Sequence, residues 1–338
     1  MEPVARIPQE LEKAIYGFVT TAVINLADER GVFTFLIEHG PASTEQIAKA
    51  VDVDEDTLER MLLVLVSFGI LHRKQSAEYQ IPETCISFLD KRSERYLGGF
   101  IRHLATDSSE HMRGLGAYLA RNGSEHAAGP AKSFEYAYRD EDSLAAFVDA
   151  MWDLSFADSQ EIAAMADLKA VSRLVDVGGA SGSFSVAALL AWPGLHSVVF
   201  DLPRVGPMAR ARARGYALES RLEFVAGDFF SGELPRGDCL AFGYILSDWP
   251  DDTCVELLRK AHRACTAPGR ILIMERLFDD DRRGPVSTAV MNLVMHLEMQ
   301  GRHRCAAEYV GLLRAADFTD CEVHRAAGDK HLIVGYKS

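Results

Sequence analysis

The sequence predicts an α/β fold in two parts. An N-terminal helical domain of winged-helix type precedes a C-terminal Rossmann-like domain, whose parallel sheet carries an antiparallel edge strand. Beyond residue 165, apolar runs typical of strands alternate with helical patterns, as in sheets covered by helices on both faces. Before residue 105, short helical patterns and one hairpin pattern take the place of that alternation. A chain of 338 residues, 48% of them hydrophobic, is long enough for two cores.

The chain opens with an apolar helical pattern. Residues 10 to 38 carry hydrophobic side chains at helical spacing over a broad arc, and we expect one helix there. Such a face packs either in the core of its own subunit or against a second copy of the chain.

Further helices and a wing complete the first domain, which we place at residues 1–105. A capping box at Ser43 and an N-cap at Asp54 begin two helices, and the segments around 71–73 and 79–81 frame a hairpin. Winged helices often bind DNA, but residues 54–60 hold four acidic side chains against one arginine. That charge repels phosphate and argues against nucleic acid.

Residues 106–165 are predicted to form a helical connector, and residues 166–338 the sheet domain. Glycine and proline residues indicate breaks in the connector at Gly114, Gly116, Gly123, Gly129 and Pro130.

The first strand of the sheet domain leads into a glycine cluster. Residues 174–177 include Asp176, and Gly178, Gly179 and Gly182 follow before an Ala- and Leu-rich helix. Glycines allow a sharp turn and the close approach of a ligand, and the N–H groups of the helix start face that ligand. The pattern predicts a site for a nucleotide-like cofactor.

Acidic residues follow the next two strands. Asp201 ends the strand at 197–200, where it is well placed for a ribose diol. Asp228 follows a third strand; its carboxylate can accept from an adenine amine, and Phe229 can pack on the base. Carboxylates repel phosphate, so this edge favours S-adenosylmethionine over ATP or NADP.

Four more strands are expected, near 239–244, 270–274, 321–325 and 331–336, the last two as a closing pair. Ligands bind at the carboxyl ends of strands in such sheets. Ser247 and Glu275 follow the fourth and fifth strands, so they are expected at the same edge as Asp201 and Asp228.

Composition narrows the possible partners. The net charge of −13 argues against nucleic acid and an anionic membrane face. The amino terminus does not resemble a signal peptide, and the apolar run Met61 to Leu71 is too short to span a bilayer, so a cytoplasmic protein is expected. The six cysteines lack Cys-x-x-Cys spacing, which indicates free thiols.

Five ordered motifs resemble the S-adenosylmethionine-dependent O-methyltransferases of the plant caffeate and hydroxyindole type, which have many relatives in bacterial natural-product pathways. The motifs are Asp176-Val177-Gly178-Gly179-Ala180-Ser181-Gly182, Asp201-Leu202-Pro203, Gly227-Asp228-Phe229-Phe230, Asp248-Trp249-Pro250-Asp251 and Pro268-Gly269-Arg270-Ile271-Leu272. The resemblance spans nearly the whole chain. It implies a class I methyltransferase domain, S-adenosylmethionine as cofactor, and a homodimer formed by the first domain.

The resemblance also implies roles for individual residues. Those expected to contact the cofactor are Asp176, Gly178, Gly179, Gly182, Asp201, Leu202, Gly227, Asp228, Phe229, Trp249 and, at its methionine end, Ser155. Those expected to contact a small-molecule acceptor are Phe147, Met151, Met295 and Met299.

The catalytic positions depart from the family pattern. Relatives that methylate phenols usually carry His-Asp-Trp after the fourth strand, where this chain has Ser247-Asp248-Trp249. Serine is a poor base, whereas an imidazole titrates near neutrality. Glu275 keeps one of the two carboxylates that flank the histidine in relatives, but His303 replaces the other. Gly243 stands where a basic residue is often found.

Other titratable groups are candidates for proton transfer. His296 lies on the helix that covers the acceptor in relatives, and we expect it to be the base ahead of His303, which Arg302 and Arg304 flank. Asp248 and Glu275 are its expected carboxylate partners. A metal bound by Asp248 and His296 is an alternative, since some bacterial relatives that C-methylate α-keto acids hold a metal here.

Three functions from different classes remain open at this stage. The first is methyl transfer to oxygen or to an activated carbon of a small molecule. The second is a relative that retains S-adenosylmethionine but catalyses hydroxylation or a pericyclic step. The third is a DNA-binding regulatory protein, against which the acidic winged helix argues. The acceptor is not identified by the sequence.

Overall fold

A computed structural model describes residues 6–120, 139–299 and 301–338. The chain divides into two compact units, Met1–Ser109 and Glu110–Ser338. The boundaries proposed at residues 105 and 165 stay predictions, and the breaks expected at Gly123, Gly129 and Pro130 lie outside the described residues.

The first unit is mainly helical. Its elements are α1 Gln9–Glu29, α2 Val32–His39, α3 Thr44–Val51, α4 Glu55–Ser67, β1 His72–Arg73, β2 Tyr79–Gln80, α5 Glu83–Leu89 and α6 Gly98–His103. The Ser43 hydroxyl accepts from the Gln46 amide at 3.3 Å, and the Asp54 carboxylate accepts from the Thr57 amide at 2.8 Å. Both predicted caps are therefore present, as is the antiparallel hairpin of β1 and β2.

The prediction of a single helix over residues 10 to 38 is wrong. The helix ends at Glu29, and a new one begins at Val32. Gly31 between them has a φ of 79°, a left-handed conformation that glycine adopts without strain and that ends a helix.

One face of α1 remains uncovered within its own unit. Val23 and Ala27 are buried in the unit's apolar core, together with Phe33, Ile47 and Leu62. In the N-terminal half of the same helix, large apolar side chains are 49% to 77% exposed: Leu11, Ile15, Tyr16 and Phe18.

The second unit contains the sheet. Its elements are α7 Ser109–Arg113, α8 Leu115–Ala120, α9 Glu141–Met165, β3 Arg173–Val177, α10 Ser183–Ala191, β4 His196–Asp201, α11 Gly206–Gly215, β5 Leu222–Ala226, β6 Gly237–Gly243, α12 Asp251–Ala264, β7 Cys265–Phe278, α13 Val286–Glu298, β8 Arg304–Cys305, α14 Ala306–Ala315, β9 Thr319–His324 and β10 Lys330–Lys337.

The strands lie in the order β5-β4-β3-β6-β7-β10-β9. Strands β3 to β7 run parallel, and β10 runs antiparallel to both β7 and β9, which confirms the predicted closing pair. Apolar cores pack on the two faces of the sheet, because the branched side chains of β3 and its neighbours alternate between them.

The fifth strand is longer than predicted. It runs from Cys265 to Phe278 rather than 270 to 274, since β10 pairs with it as far as Arg276. Glu275 therefore lies within the strand and not after it.

In the part of the chain that the structure describes, no helix combines the length and apolar character needed to cross a bilayer.

Candidate functional site

The glycine loop joins β3 to α10 in a tight turn. Gly178, Ala180 and Gly182 have φ values of 68°, 48° and 84°. The positive φ of Gly178 favours glycine, and a Cβ atom there would lie 2.4 Å from Cδ1 of Ile245, so the end of that side chain would have to shift. The loop leaves the amino end of α10 facing the carboxyl edge of the sheet.

Asp176, on β3, stabilises this loop through hydrogen bonds. Its carboxylate accepts from the backbone amide of Ser185 at 3.2 Å and from the Ser185 hydroxyl at 2.8 Å. Burial raises the pKa of Asp176 to about 6. Both contacts are inside the protein, so Asp176 helps to fix the shape of the loop.

Asp201 links the end of β4 to the same loop. Its carboxylate accepts from the amide of Ala180 at 2.7 Å and from the amide of Leu202 at 2.6 Å. Burial raises the pKa of Asp201, against the effect of these hydrogen bonds. The glycine loop and the expected ribose acceptor are thus brought together, while the Leu202 side chain is 37% exposed.

An aromatic cluster follows β5. Asp228 accepts from the amide of Phe230 at 2.8 Å and from the Ser231 hydroxyl at 3.0 Å, which fixes the loop. Phe229 and Phe230 meet Trp249 edge to face, with ring centroids 6.3 Å and 4.6 Å from the indole. A Cβ atom on Gly227 would lie 2.3 Å from the Phe200 ring, so this loop packs closely on β4.

A buried lysine that was not among the predicted site residues lies at the carboxyl edge of the sheet. Lys330 is 1% exposed, and its ammonium donates to the Ser155 hydroxyl and lies 4.3 Å from the centre of the Tyr244 ring. The nitrogen is 3.8 Å from where a Cβ atom on Gly243 would be. A cation therefore stands beside Gly243, supplied from β10.

The turn after β6 is held from outside by Arg304. This guanidinium is fully buried and donates to the carbonyl oxygens of Leu246 and Trp249, both at 2.8 Å. It also donates to the Asp251 carboxylate at 2.6 Å. A Cβ atom on Gly301 would lie 1.9 Å from the carbonyl oxygen of Ser247, so only glycine allows the two segments to approach this closely.

Ser247 and Glu275 are in direct contact. Both are buried, and the Ser247 amide donates to Oε1 of Glu275 at 3.1 Å. Oε2 of Glu275 has no hydrogen-bond partner among the described residues. Burial raises the pKa of Glu275 to about 7, against the hydrogen bond from Ser247.

Two more carboxyl groups lie near Glu275. Burial and then the Glu275 and Glu298 carboxylates raise the pKa of Asp248 well above its usual value. Glu298 accepts from or donates to Nδ1 of His111 at 3.2 Å, depending on the proton positions. His111 was not a predicted site residue, because a lone histidine in an irregular helical stretch carries no recognisable spacing.

The two predicted histidines lie in different surroundings. His303 is 3% exposed, its amide donates to the Asn292 side chain at 2.8 Å, and its Nδ1 has no partner among the described residues. Burial, followed by the charges of Arg276 and Arg304, lowers the pKa of His303 to about 4. His296 is exposed on α13.

One detail of the sequence interpretation is wrong here. Arg302 was expected to act on His303, but its guanidinium pairs with Asp251 and Glu308, both within 3 Å. Arg276 on β7, together with Arg304, supplies the positive charge that lowers the pKa of His303.

The expected acceptor-lining residues fall on α9 and α13. Phe147 is half-buried against the cluster of Leu144, Val148 and Val205, as is Ala180 of the glycine loop, and Met151 is half-buried one turn further along α9. Met295 is half-buried and Met299 is 8% exposed. Within residues 6–120, 139–299 and 301–338, no group of three or more His, Cys, Asp or Glu side chains is arranged to hold a metal ion.

Sequence profiles match both parts of the chain. Residues 113–319 match the O-methyltransferase domain family, and residues 12–91 match the O-methyltransferase dimerisation domain.

Individual relatives extend over almost the full length. The chain is 31% identical to acetylserotonin O-methyltransferase of Bos taurus, over 97% of both chains. It is 28% identical to 3-hydroxy-5-methyl-1-naphthoate 3-O-methyltransferase of Streptomyces sahachiroi, over 99% of this chain and 97% of that one. Among solved structures, human N-acetylserotonin methyltransferase in complex with S-adenosylmethionine superposes with a TM-score of 0.88 at 26% identity, covering 99% of this chain and 100% of that one.

Proposed function

Because this chain belongs to the O-methyltransferase family and is therefore an S-adenosylmethionine-dependent methyltransferase, we propose that it methylates a hydroxyl oxygen of a small aromatic acceptor, and that this oxygen is ionised before methyl transfer. The naphthoate O-methyltransferase of Streptomyces sahachiroi, similar over almost the whole chain, supports an aromatic acceptor. The observation that carries the proposal is the contact between Ser247 and Glu275.

The cofactor is proposed to lie along the carboxyl edge of the sheet. Its adenine is placed at Asp228 and Phe229, its ribose at Asp201, and its sulfonium end at the glycine loop. The strand order β5-β4-β3 supports this path, since these three loops follow neighbouring strands. The Asp201 carboxylate is oriented by two backbone amides, which leaves further lone pairs for a ribose diol.

The acceptor oxygen is proposed to meet neutral hydrogen-bond donors. With a pKa raised to about 7, a large share of Glu275 is protonated at neutral pH. Its unpartnered Oε2 can then donate to an anionic oxygen, as the Ser247 hydroxyl also can. A phenolate or enolate already carries its nucleophilic electron pair, so positioning along the methyl-transfer axis supplies most of the rate.

Where a proton must be removed, we propose His296 as the base ahead of His303. A base must hold the proton it receives, and the buried surroundings of His303 oppose its imidazolium form. His296 is exposed on the helix expected to cover the acceptor.

We further propose that the protein is a homodimer. The dimerisation-domain match over residues 12–91 and the uncovered apolar face of α1 support this assembly, because exposed apolar side chains such as Phe18 favour contact with a second copy.

The decisive experiment is a product assay. The protein is incubated with S-adenosylmethionine and a panel of hydroxylated aromatic compounds, α-keto acids and amino acids, and mass spectrometry follows S-adenosylhomocysteine and methylated product. We expect both products with a hydroxylated aromatic, and loss of both in an Asp201→Ala control. Conversion of an acceptor without S-adenosylhomocysteine would instead support the non-methylating alternative, and methylated carbon would overturn O-methylation.

A further inference from the structure

Lys330 is a buried cation whose hydrogen-bonding capacity is mostly unused. An ammonium group has three N–H donors. Among the described residues its ammonium donates to one neutral hydroxyl, that of Ser155, and the lysine is only 1% exposed. A buried charge with so few acceptors is costly unless a further partner is present.

Ser155 offers a second donor at the same place. The Lys330 ammonium and the Ser183 hydroxyl both donate to Oγ of Ser155, the latter at 3.3 Å. With both lone pairs engaged, the hydrogen of the Ser155 hydroxyl is left to donate elsewhere. Ser183 is the first residue of α10, so the positive end of that helix lies beside these donors.

The carboxyl groups around Lys330 do not replace an external anion. Asp158, Asp176 and Glu275 act on the lysine electrostatically, but among the described residues none of their carboxyl groups accepts a hydrogen bond from its ammonium. Burial also raises the pKa of each of the three, which opposes their charged forms. Asp176 and Glu275 also accept hydrogen bonds from Ser185 and Ser247.

The order of the strands places this group at the end of the proposed ligand path. Asp228 follows β5, Asp201 follows β4, the glycine loop follows β3, and Gly243 ends the next strand, β6. The Lys330 nitrogen reaches this last position, 3.8 Å from where a Cβ of Gly243 would be. A ligand with its base at Asp228 therefore has its opposite end near Lys330.

We propose that Lys330, with the Ser155 hydroxyl, binds the α-carboxylate of the methionine part of the cofactor. This assignment rests on the proposed cofactor path. The lysine comes from β10, two strands away from β6, and its nitrogen lies at ordinary van der Waals distance from where a Cβ of Gly243 would be.

The test changes the lysine in the protein and the carboxylate in the ligand, separately and together. Calorimetry measures S-adenosylhomocysteine and its decarboxylated analogue against the wild type and Lys330→Met. The wild type should favour the carboxylate form by about 10- to 100-fold, as for a hydrogen bond between charged groups. Lys330→Met should lose most of that preference and keep its affinity for the decarboxylated ligand.

Lys337→Met is the matched control, because Lys337 lies on the same strand and donates to the carbonyl oxygens of His262 and Cys265, both at 2.7 Å. Its carboxylate preference should equal that of the wild type. If Lys330→Met does not fold, Lys330→Gln removes the charge and keeps a polar side chain.

The possible results separate this inference from the proposed function. A wild type that binds neither ligand contradicts the proposed cofactor site itself. A wild type that binds both equally, or a Lys330 variant that keeps the full preference, overturns the role of Lys330 alone. If the Lys330 variant bound both ligands more weakly by the same factor, the lysine would only support the fold. That result would also overturn its proposed role in carboxylate binding.

Discussion

Glu275→Gln tests whether the carboxyl group beside Ser247 is protonated in the folded protein. Glutamine has nearly the same shape as a protonated glutamate and keeps an oxygen for the Ser247 amide. The change in pKa from the ordinary 4.5 to about 7 corresponds to about 3 kcal/mol, since one pKa unit is worth about 1.36 kcal/mol.

The direction of the pH effect on stability depends on whether the folded or the unfolded chain binds the proton more tightly. Below the ordinary value, Glu275 is protonated in both folded and unfolded chains, and its raised pKa costs nothing. As pH rises toward 7, the unfolded chain releases the proton while the folded chain keeps it, so the free energy of unfolding of the wild type falls. Glu275→Gln escapes this loss, and its stability relative to the wild type should rise by about 2–3 kcal/mol between pH 5 and pH 8.

Urea denaturation followed by tryptophan fluorescence suits this measurement. The three tryptophans, Trp152, Trp192 and Trp249, all lie in the second unit, so the signal reports the unit that contains Glu275. The side-chain amide of the glutamine can lower the free energy of unfolding by an amount that does not depend on pH. The decisive quantity is therefore how the stability difference between the variant and the wild type changes with pH.

Glu256→Gln is the matched control, because this glutamate is exposed on α12. It should follow the pH dependence of the wild type. A stability difference between Glu275→Gln and the wild type that stays constant from pH 5 to pH 8 would refute the reasoning. Glu275 would then be ionised in the fold, stabilised by Arg304 and Lys330.

Four other outcomes are expected. Asp201→Ala should weaken S-adenosylmethionine binding by about 1.5–3 kcal/mol, because a charge-assisted hydrogen bond is lost; unchanged affinity by calorimetry contradicts the ribose assignment. Ser247→Ala should reduce turnover only modestly, whereas a loss of about 10²–10⁴-fold would make Ser247 part of proton transfer. His296→Ala should cost more turnover than His303→Ala, with both variants folded and binding cofactor; the reverse order makes His303 the base. Light scattering at micromolar concentration should give a dimer for the wild type and a monomer for Phe18→Asp, and a monomeric wild type contradicts the assembly.

Local chemistry explains why most of the fold was predictable from the sequence. Alternating apolar runs, the caps at Ser43 and Asp54, and the glycine cluster after β3 each determine a short segment by themselves. The extent of β7 was not predictable in this way, because its pairing with the remote strand β10 decides where it ends.

The positions of the candidate site residues were predictable at the carboxyl edge of the sheet and less so beyond it. Asp201 and Asp228 follow strands, and strand order alone brings them to one edge. Lys330 and Arg304 reach the site from segments distant in sequence, with no spacing that marks them. Their positions follow from packing between neighbouring strands and helices, which a single sequence does not display.

The clamp formed by Arg304 and Gly301 has a consequence for how this enzyme can change over evolutionary time. Arg304 donates to the backbone carbonyl oxygens of Leu246 and Trp249, and the lack of a side chain at Gly301 lets its segment approach the backbone of Ser247. Neither contact depends on the side chain at position 247. Exchange of that side chain therefore leaves the scaffold and the cofactor edge in place. The fold should therefore tolerate single substitutions at position 247, whereas a substitution at Arg304 or Gly301 removes the contacts that keep this turn in place.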